Sequence, residues 1–130
     1  MAGGNVRRQT INADGTFKLT VVPELDDAVP TPESQFDLKA PGVEGYVIGR
    51  ADVDTNYAPD VDLTPFDAMK RGISRRHAAL VRYRGQVHII DLGSMNGTFV
   101  NGERLAPQNA YALHSGDRIS LANLEILISQ

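Results

Sequence analysis

The sequence predicts an all-β fold of sandwich or barrel type, on three observations. Short runs of β-branched and apolar residues alternate with turn residues along nearly the whole chain. Two Asn-Gly pairs, Asn96-Gly97 and Asn101-Gly102, offer the positive φ that tight connections between strands demand. No segment shows the apolar spacing of an amphipathic helix.

The elements follow in order. Residues 1–13 are rich in Gly, Asn, Arg and Gln without apolar periodicity, so they read as a flexible N-terminal arm, leaving 14–130 as one domain. Candidate strands are Phe17–Val22, Gln35–Lys39, Gly45–Gly49, Ala78–Tyr83, Val87–Asp91, Thr98–Val100, Asp117–Leu121 and Leu124–Ser129. Alternation is clearest in Val87-His88-Ile89-Ile90 and in Glu125-Ile126-Leu127-Ile128, where one face must be buried. Arg84-Gly85-Gln86 joins two strong strands by a short connection. The segment 51–73 is different: it carries two prolines, many aspartates and little alternation, and loops of that length inside a compact domain are usually functional or mobile.

Composition bounds the function classes. A chain of 130 residues can bury a single core without staples. It contains no cysteine, which excludes disulfides, thiolate metal sites and a catalytic thiol, and fits a reducing compartment, with cytoplasm as the default. No stretch approaches the roughly 18 apolar residues of a membrane span, and no apolar leader follows the basic residues near the start. The net charge of -3 argues against whole-molecule attraction to nucleic acid or to anionic membranes. That charge is unevenly placed. Asp52, Asp54, Asp60, Asp62 and Asp67 share one stretch without a basic residue, and Lys70, Arg71, Arg75, Arg76, Arg82 and Arg84 follow without a carboxylate. Two solvated loops of opposite sign lying together is the ordinary reading; an anion-binding surface is the sharper one.

Four pieces carry the sharper reading: Gly49-Arg50 at the end of a strand, Ser74-Arg75-Arg76-His77 at the start of another, Asp91 through Thr98, and Val100-Asn101-Gly102. In this order and spacing they closely resemble the signature of the forkhead-associated (FHA) domain, of bacterial type, over nearly the whole chain outside the arm. The resemblance implies a two-sheet sandwich of about eleven strands with peptide bound by loops at one end. It also implies a module that binds phosphothreonine in partner proteins, the products of a Ser/Thr kinase, and that needs no cofactor, no metal and no catalytic residue.

The residue types suit that task. A phosphothreonine brings about -1.5 to -2 charges and three strong acceptors, so its receptor needs a fixed cation and neutral donors. Arg50 supplies a planar guanidinium that can meet two phosphate oxygens, and Ser74 a hydroxyl. The resemblance adds Arg75 as a third phosphate contact. His77, at the head of an apolar run, reads as a buried structural residue, and the resemblance makes it a brace for the binding loops; Gly49 as a backbone-conformation residue and Gly97 as a turn residue give structural support to the site. Asn96 belongs first to a turn, yet its amide offers two donors and an acceptor; the resemblance has it grip the peptide main chain. Asn101-Gly102 is read purely as a turn, and Gly93 as a backbone-conformation residue.

One departure stands out. The family commonly places Thr or Ser where this chain has Met95, so a hydroxyl that can reach phosphate is missing. Such a bond to a charged group contributes about 1.5 to 3 kcal/mol, roughly tenfold or more in affinity. Arg75 is a candidate to compensate, and Met95 to offer an adaptable apolar contact instead. Lys70 and Arg71 precede the serine where the family reads the third residue after the phosphothreonine, which predicts a preference for an acidic side chain there.

Other classes fit less well. Ser74, His77 and Asp91 contain the atoms of a hydrolytic triad, but no nucleophile elbow is present and the three-residue spacing is poor for it. His77, His88 and His114 match no metal motif. Nucleic-acid binding through 70–84 has a single interleaved aromatic, Tyr83. A phosphate-independent protein-binding sandwich is the remaining alternative. Arg7-Arg8-Gln9-Thr10 also places a threonine in a context basophilic kinases accept, so a phosphorylated Thr10 is a candidate internal ligand.

Overall fold

The fold comes from a computed structural model that describes residues 9–22, 34–39 and 41–130. Its strands are β1 (Phe17–Val21), β2 (Gln35–Leu38), β3 (Tyr46–Gly49), β4 (Val61–Asp62), β5 (Ala78–Tyr83), β6 (Gln86–Asp91), β7 (Thr98–Val100), β8 (Glu103–Arg104), β9 (Ala110–Ala112), β10 (Arg118–Leu121) and β11 (Leu124–Ser129). They form a six-stranded sheet in the order β2-β1-β11-β10-β7-β8 and a five-stranded sheet in the order β4-β3-β5-β6-β9. The only parallel pair among them is β3 with β4.

Alternation builds the core between the sheets. In β11, Leu124, Ile126 and Ile128 are buried while Glu125, Leu127 and Ser129 are not. Register sets Leu19 opposite Ile128 and Val21 opposite Ile126, so β1 presents Phe17, Leu19 and Val21 to the same side. Ile48, Leu80 and Ile89 belong to the same buried cluster from the second sheet. Each such aliphatic side chain contributes about 1.5 to 3 kcal/mol when fully buried.

Each of the eight candidate strands is present, with ends that differ by no more than one residue. The short strands β4, β8 and β9 complete the eleven.

The arm needs correcting at its C-terminal end. Ile11 and Ala13 are fully buried, and the segment is woven into the fold: Ile11 N–H donates to Leu113 O at 3.0 Å and Ile11 O accepts from Val87 N–H at 2.8 Å. Gln9 to Ala13 therefore belong to the folded body, and 1–8 lie outside the described residues. Thr10 forms a β-bridge with His114, so it would have to leave that bridge to act as an internal ligand.

The long 51–73 segment is also more ordered than its pattern suggests. Val61, Leu63, Ala68 and Ile73 are buried, and a 3-10 turn covers Thr64–Phe66. Several of its aspartates serve the backbone: Asp60 accepts from Val47 N–H at 2.8 Å and Asp62 from Thr64 N–H at 2.9 Å.

The register decides where the connections gather. Ile48 pairs with Ala78 and Ala78 with Asp91, so the segments after β3, before β5 and after β6 leave the sheet in one row. Across the sandwich, Ala122 of the β10–β11 turn donates to Gly97 O at 2.9 Å and joins the same end.

Candidate functional site

Close backbone packing places the first two segments. A Cβ on Gly49 would lie 1.9 Å from Arg75 O and 2.8 Å from Ser74 O, so only glycine lets the 74–75 backbone rest on the end of β3. Arg50 follows at once. Its Nε donates to Ile73 O at 2.9 Å, and its two Nη nitrogens have no partner among the described residues. The guanidinium is thereby held beside Ser74 with one edge unused.

His77 ties the second segment to the third. Ser74 N–H can only donate and points at Nδ1 at 3.0 Å, while Gly97 O can only accept and lies 2.8 Å from Nε2. The ring is therefore the neutral tautomer protonated at Nε2. Burial lowers its pKa below the usual histidine value, against the opposing influence of Gly97 O and the Asp91 carboxylate.

Ser74 Oγ accepts from Met95 N–H at 3.3 Å, which leaves its own proton to donate elsewhere. Asn96 Nδ2 donates to Gly72 O at 2.9 Å, leaving Oδ1 and the second amide hydrogen open. Gly72 stands at φ +79, and a Cβ there would come within 2.4 Å of Asn96 Nδ2, so this glycine makes room for the asparagine. Asp91 shapes the turn that carries Asn96. It accepts from Ser94 Oγ at 2.6 Å, from Thr98 Oγ1 at 2.7 Å and from Gly93 N–H at 3.1 Å. Burial pushes its carboxyl up, but these bonds outweigh it and hold the pKa below the ordinary value.

Arg50, Ser74 and Asn96 thus form one chain of contacts through Ile73, Met95 and Gly72. Arg75 lies beside it with its Nη1 2.8 Å from Asp52 Oδ2. That bond, with contributions from Thr55 and Asp54 N–H, keeps Asp52 below the usual carboxylate range despite partial burial. Met95 is 85% exposed above the turn. Arg71 is directed elsewhere: its Nε donates to Phe66 O at 3.1 Å and its Nη1 to Asn123 Oδ1 at 3.5 Å.

Two hollows flank this row. One of about 430 Å³ is lined by Thr55, Tyr57, Ser74, Arg75 and Arg76. The other, of about 230 Å³, includes Arg50, Thr64, Asp67, Met69 and Lys70.

Comparison with known proteins decides the family, because the FHA domain model matches residues 46–122, more than half of the chain. The chain belongs to the FHA domain family. Among curated proteins it is 29% identical to an oxoglutarate dehydrogenase inhibitor of Corynebacterium jeikeium over 94% of this chain and 90% of that one. It is 44% identical to the protein FraH of Nostoc over 53% of this chain, which spans only 24% of FraH. A structure solved in work on phosphothreonine-dependent FHA domain interactions aligns with a TM-score of 0.62 and 25% identity, over 88% of this chain and 96% of that one.

In this FHA domain the other combinations considered from the sequence come apart. Both ring nitrogens of His77 are engaged with backbone groups, so it cannot take a proton from Ser74 Oγ, and Asp91 faces Ser94 and Thr98. His88 on β6 has its Nδ1 3.2 Å from Gln86 O, and His114, between β9 and β10, lies beside Asp117, so neither joins His77 in a cluster. The basic stretch is divided by β5. Arg75 and Arg76 sit at the loop end, whereas Arg82 bonds Asp14 and Ala13 O and Arg84 lies over the Tyr83 ring at the far end. Gly72, Asp52 and Tyr57 were not legible as site residues, because their roles come from partners about twenty residues away. The signal available was the adjacency of Gly72 to the Ser74 motif.

Proposed function

We propose that this FHA domain is a non-catalytic reader of phosphothreonine in a kinase-phosphorylated partner, acting as a signalling adaptor or regulator in the cytoplasm. The observation that carries the reading is the row Arg50, Ser74, Asn96, each side chain fixed by a hydrogen bond to an adjoining loop while keeping donors unused. Arg50 presents its two Nη groups and Ser74 its hydroxyl to the phosphate, and Asn96 offers an amide to the peptide main chain. Preorganisation of this kind favours binding because little side-chain freedom is lost when the ligand arrives. Arg75 contributes to the phosphate in this reading through the nitrogens not held by Asp52. His77, Gly49 and Gly97 support the site without touching the peptide, and Met95 meets the peptide flank.

The reading gains support from the FHA structure linked to phosphothreonine-dependent interactions and from the curated relatives that are enzyme inhibitors. Calorimetric titration with a degenerate phosphothreonine peptide pool, its unphosphorylated twin and an Arg50→Ala control tests it. Binding of the phosphorylated pool alone, lost in Arg50→Ala, is the expected result. Equal binding of both pools favours a phosphate-independent interaction module and overturns the proposal.

A further inference from the structure

The larger hollow beside Ser74 has a preformed wall. Asp52 and Tyr57 exchange backbone hydrogen bonds at 2.9 and 3.0 Å, closing a small hairpin, and Tyr57 Oη reaches Arg75 O at 3.5 Å. Two arginines line the hollow, and they differ in charge state as seen by a ligand. Arg75 is ion-paired to Asp52 at 2.8 Å, whereas Arg76 is exposed and has no ion pair or hydrogen bond among the described residues. The hollow therefore presents one uncompensated cation at its rim, next to hydroxyls of Thr55 and Tyr57.

The opposite flank is arranged differently. There Lys70 shares its hollow with Asp67, and Arg71 is turned toward Phe66 O and Asn123. An acidic residue of a bound peptide finds an uncompensated charge on the Arg76 side.

We infer that Arg76 is a specificity-determining residue that recognises a single carboxylate, an Asp or Glu flanking the phosphothreonine, in the hollow walled by Thr55, Tyr57 and Arg75. The inference rests on the phosphothreonine reading above. A second phosphate is a poorer match, because a dianion exceeds the one cation available and meets the Asp52 carboxylate nearby. The site is open to water, so the gain is of surface-pair size, about two- to fivefold in affinity.

The test is a calorimetric series on a phosphothreonine peptide with alanine flanks. One Asp is placed in turn at each of three positions on either side, and the series is measured on the wild type, Arg76→Gln and Arg71→Gln. The quantity read is the Asp-for-Ala gain and its dependence on each arginine, a double-mutant cycle. One position at which the gain is present in the wild type, absent in Arg76→Gln and kept in Arg71→Gln is the expected result. No gain at any position, equal gains at all of them, or a gain that disappears with Arg71 instead overturns the inference while leaving phosphothreonine binding standing. A second phosphothreonine that outperforms Asp through Arg76 overturns the choice of a single carboxylate. Failure of the wild type to bind any of the phosphopeptides removes the underlying reading and this inference with it.

Discussion

The two ends of the sandwich spend their polar groups differently. At the far end they are matched to one another. Asp117 is 1% exposed and accepts from Asn101 Nδ2 at 2.9 Å and from His114 N–H at 2.8 Å, while Asn101 Oδ1 receives Arg118 N–H at 2.9 Å. Gln130 likewise bridges Asn12 in both directions. At the loop end the bonds run between loops and stop short of saturation, leaving the Nη groups of Arg50, the Ser74 proton and half of the Asn96 amide. Both ends are ordered by hydrogen bonds, but at the loop end the bonded side chains Arg50, Ser74 and Asn96 keep further donors unused. Rigidity alone therefore does not mark a binding site; rigidity with unused donors does.

Substitutions at the two ends should separate binding from stability. The largest effect is expected for Arg50→Ala, which should weaken a phosphothreonine peptide by about a hundredfold, as loss of more than one charge-assisted bond implies. Arg82→Ala, at the far end, should leave calorimetric affinity unchanged. Asn96→Ala is expected to cost about tenfold in affinity, with an unaltered urea midpoint. The reverse pattern is predicted for Asp117→Ala: about 1 to 3 kcal/mol of stability lost in urea, because Asn101 and His114 N–H lose their acceptor, with peptide affinity retained.

Acidification should act on the brace between loops. His77 has a folded pKa below its usual value of 6.5, so the unfolded chain binds the proton more readily. Its contribution is fully present above that value and declines as pH falls from 6.5 toward the lower folded pKa. Urea denaturation across that window should show a slope that His77→Gln reduces. The smallest effect belongs to Met95→Thr. If the added hydroxyl reaches phosphate, affinity rises by about tenfold; an unchanged or weaker affinity would assign Met95 to an apolar peptide contact.

Much of the architecture was legible because long strands write their alternation into the chain, as β11 does with Leu124, Ile126 and Ile128. Strands β4, β8 and β9 have two or three residues each, too few for a period, and β8 and β9 are exposed throughout. Ile11 and Ala13 stood alone among polar neighbours, and their burial depends on residues 85, 87 and 113, which local pattern cannot reveal. At the site, Arg50, Ser74 and Asn96 were visible as separate motifs. The groups that aim them, Gly72 and Asp91 among others, act through contacts made only after folding, as does the Asp52–Arg75 pair that joins the acidic and basic stretches.

Amide chemical-shift mapping tests the central assignment most directly. A phosphothreonine peptide added to the labelled protein should perturb residues 50–57, 72–76 and 93–97 while leaving 84–86, 101–103 and 113–117 in place, and its unphosphorylated counterpart should do neither. Perturbations concentrated at the far end, or the same pattern from the unphosphorylated peptide, would contradict the account.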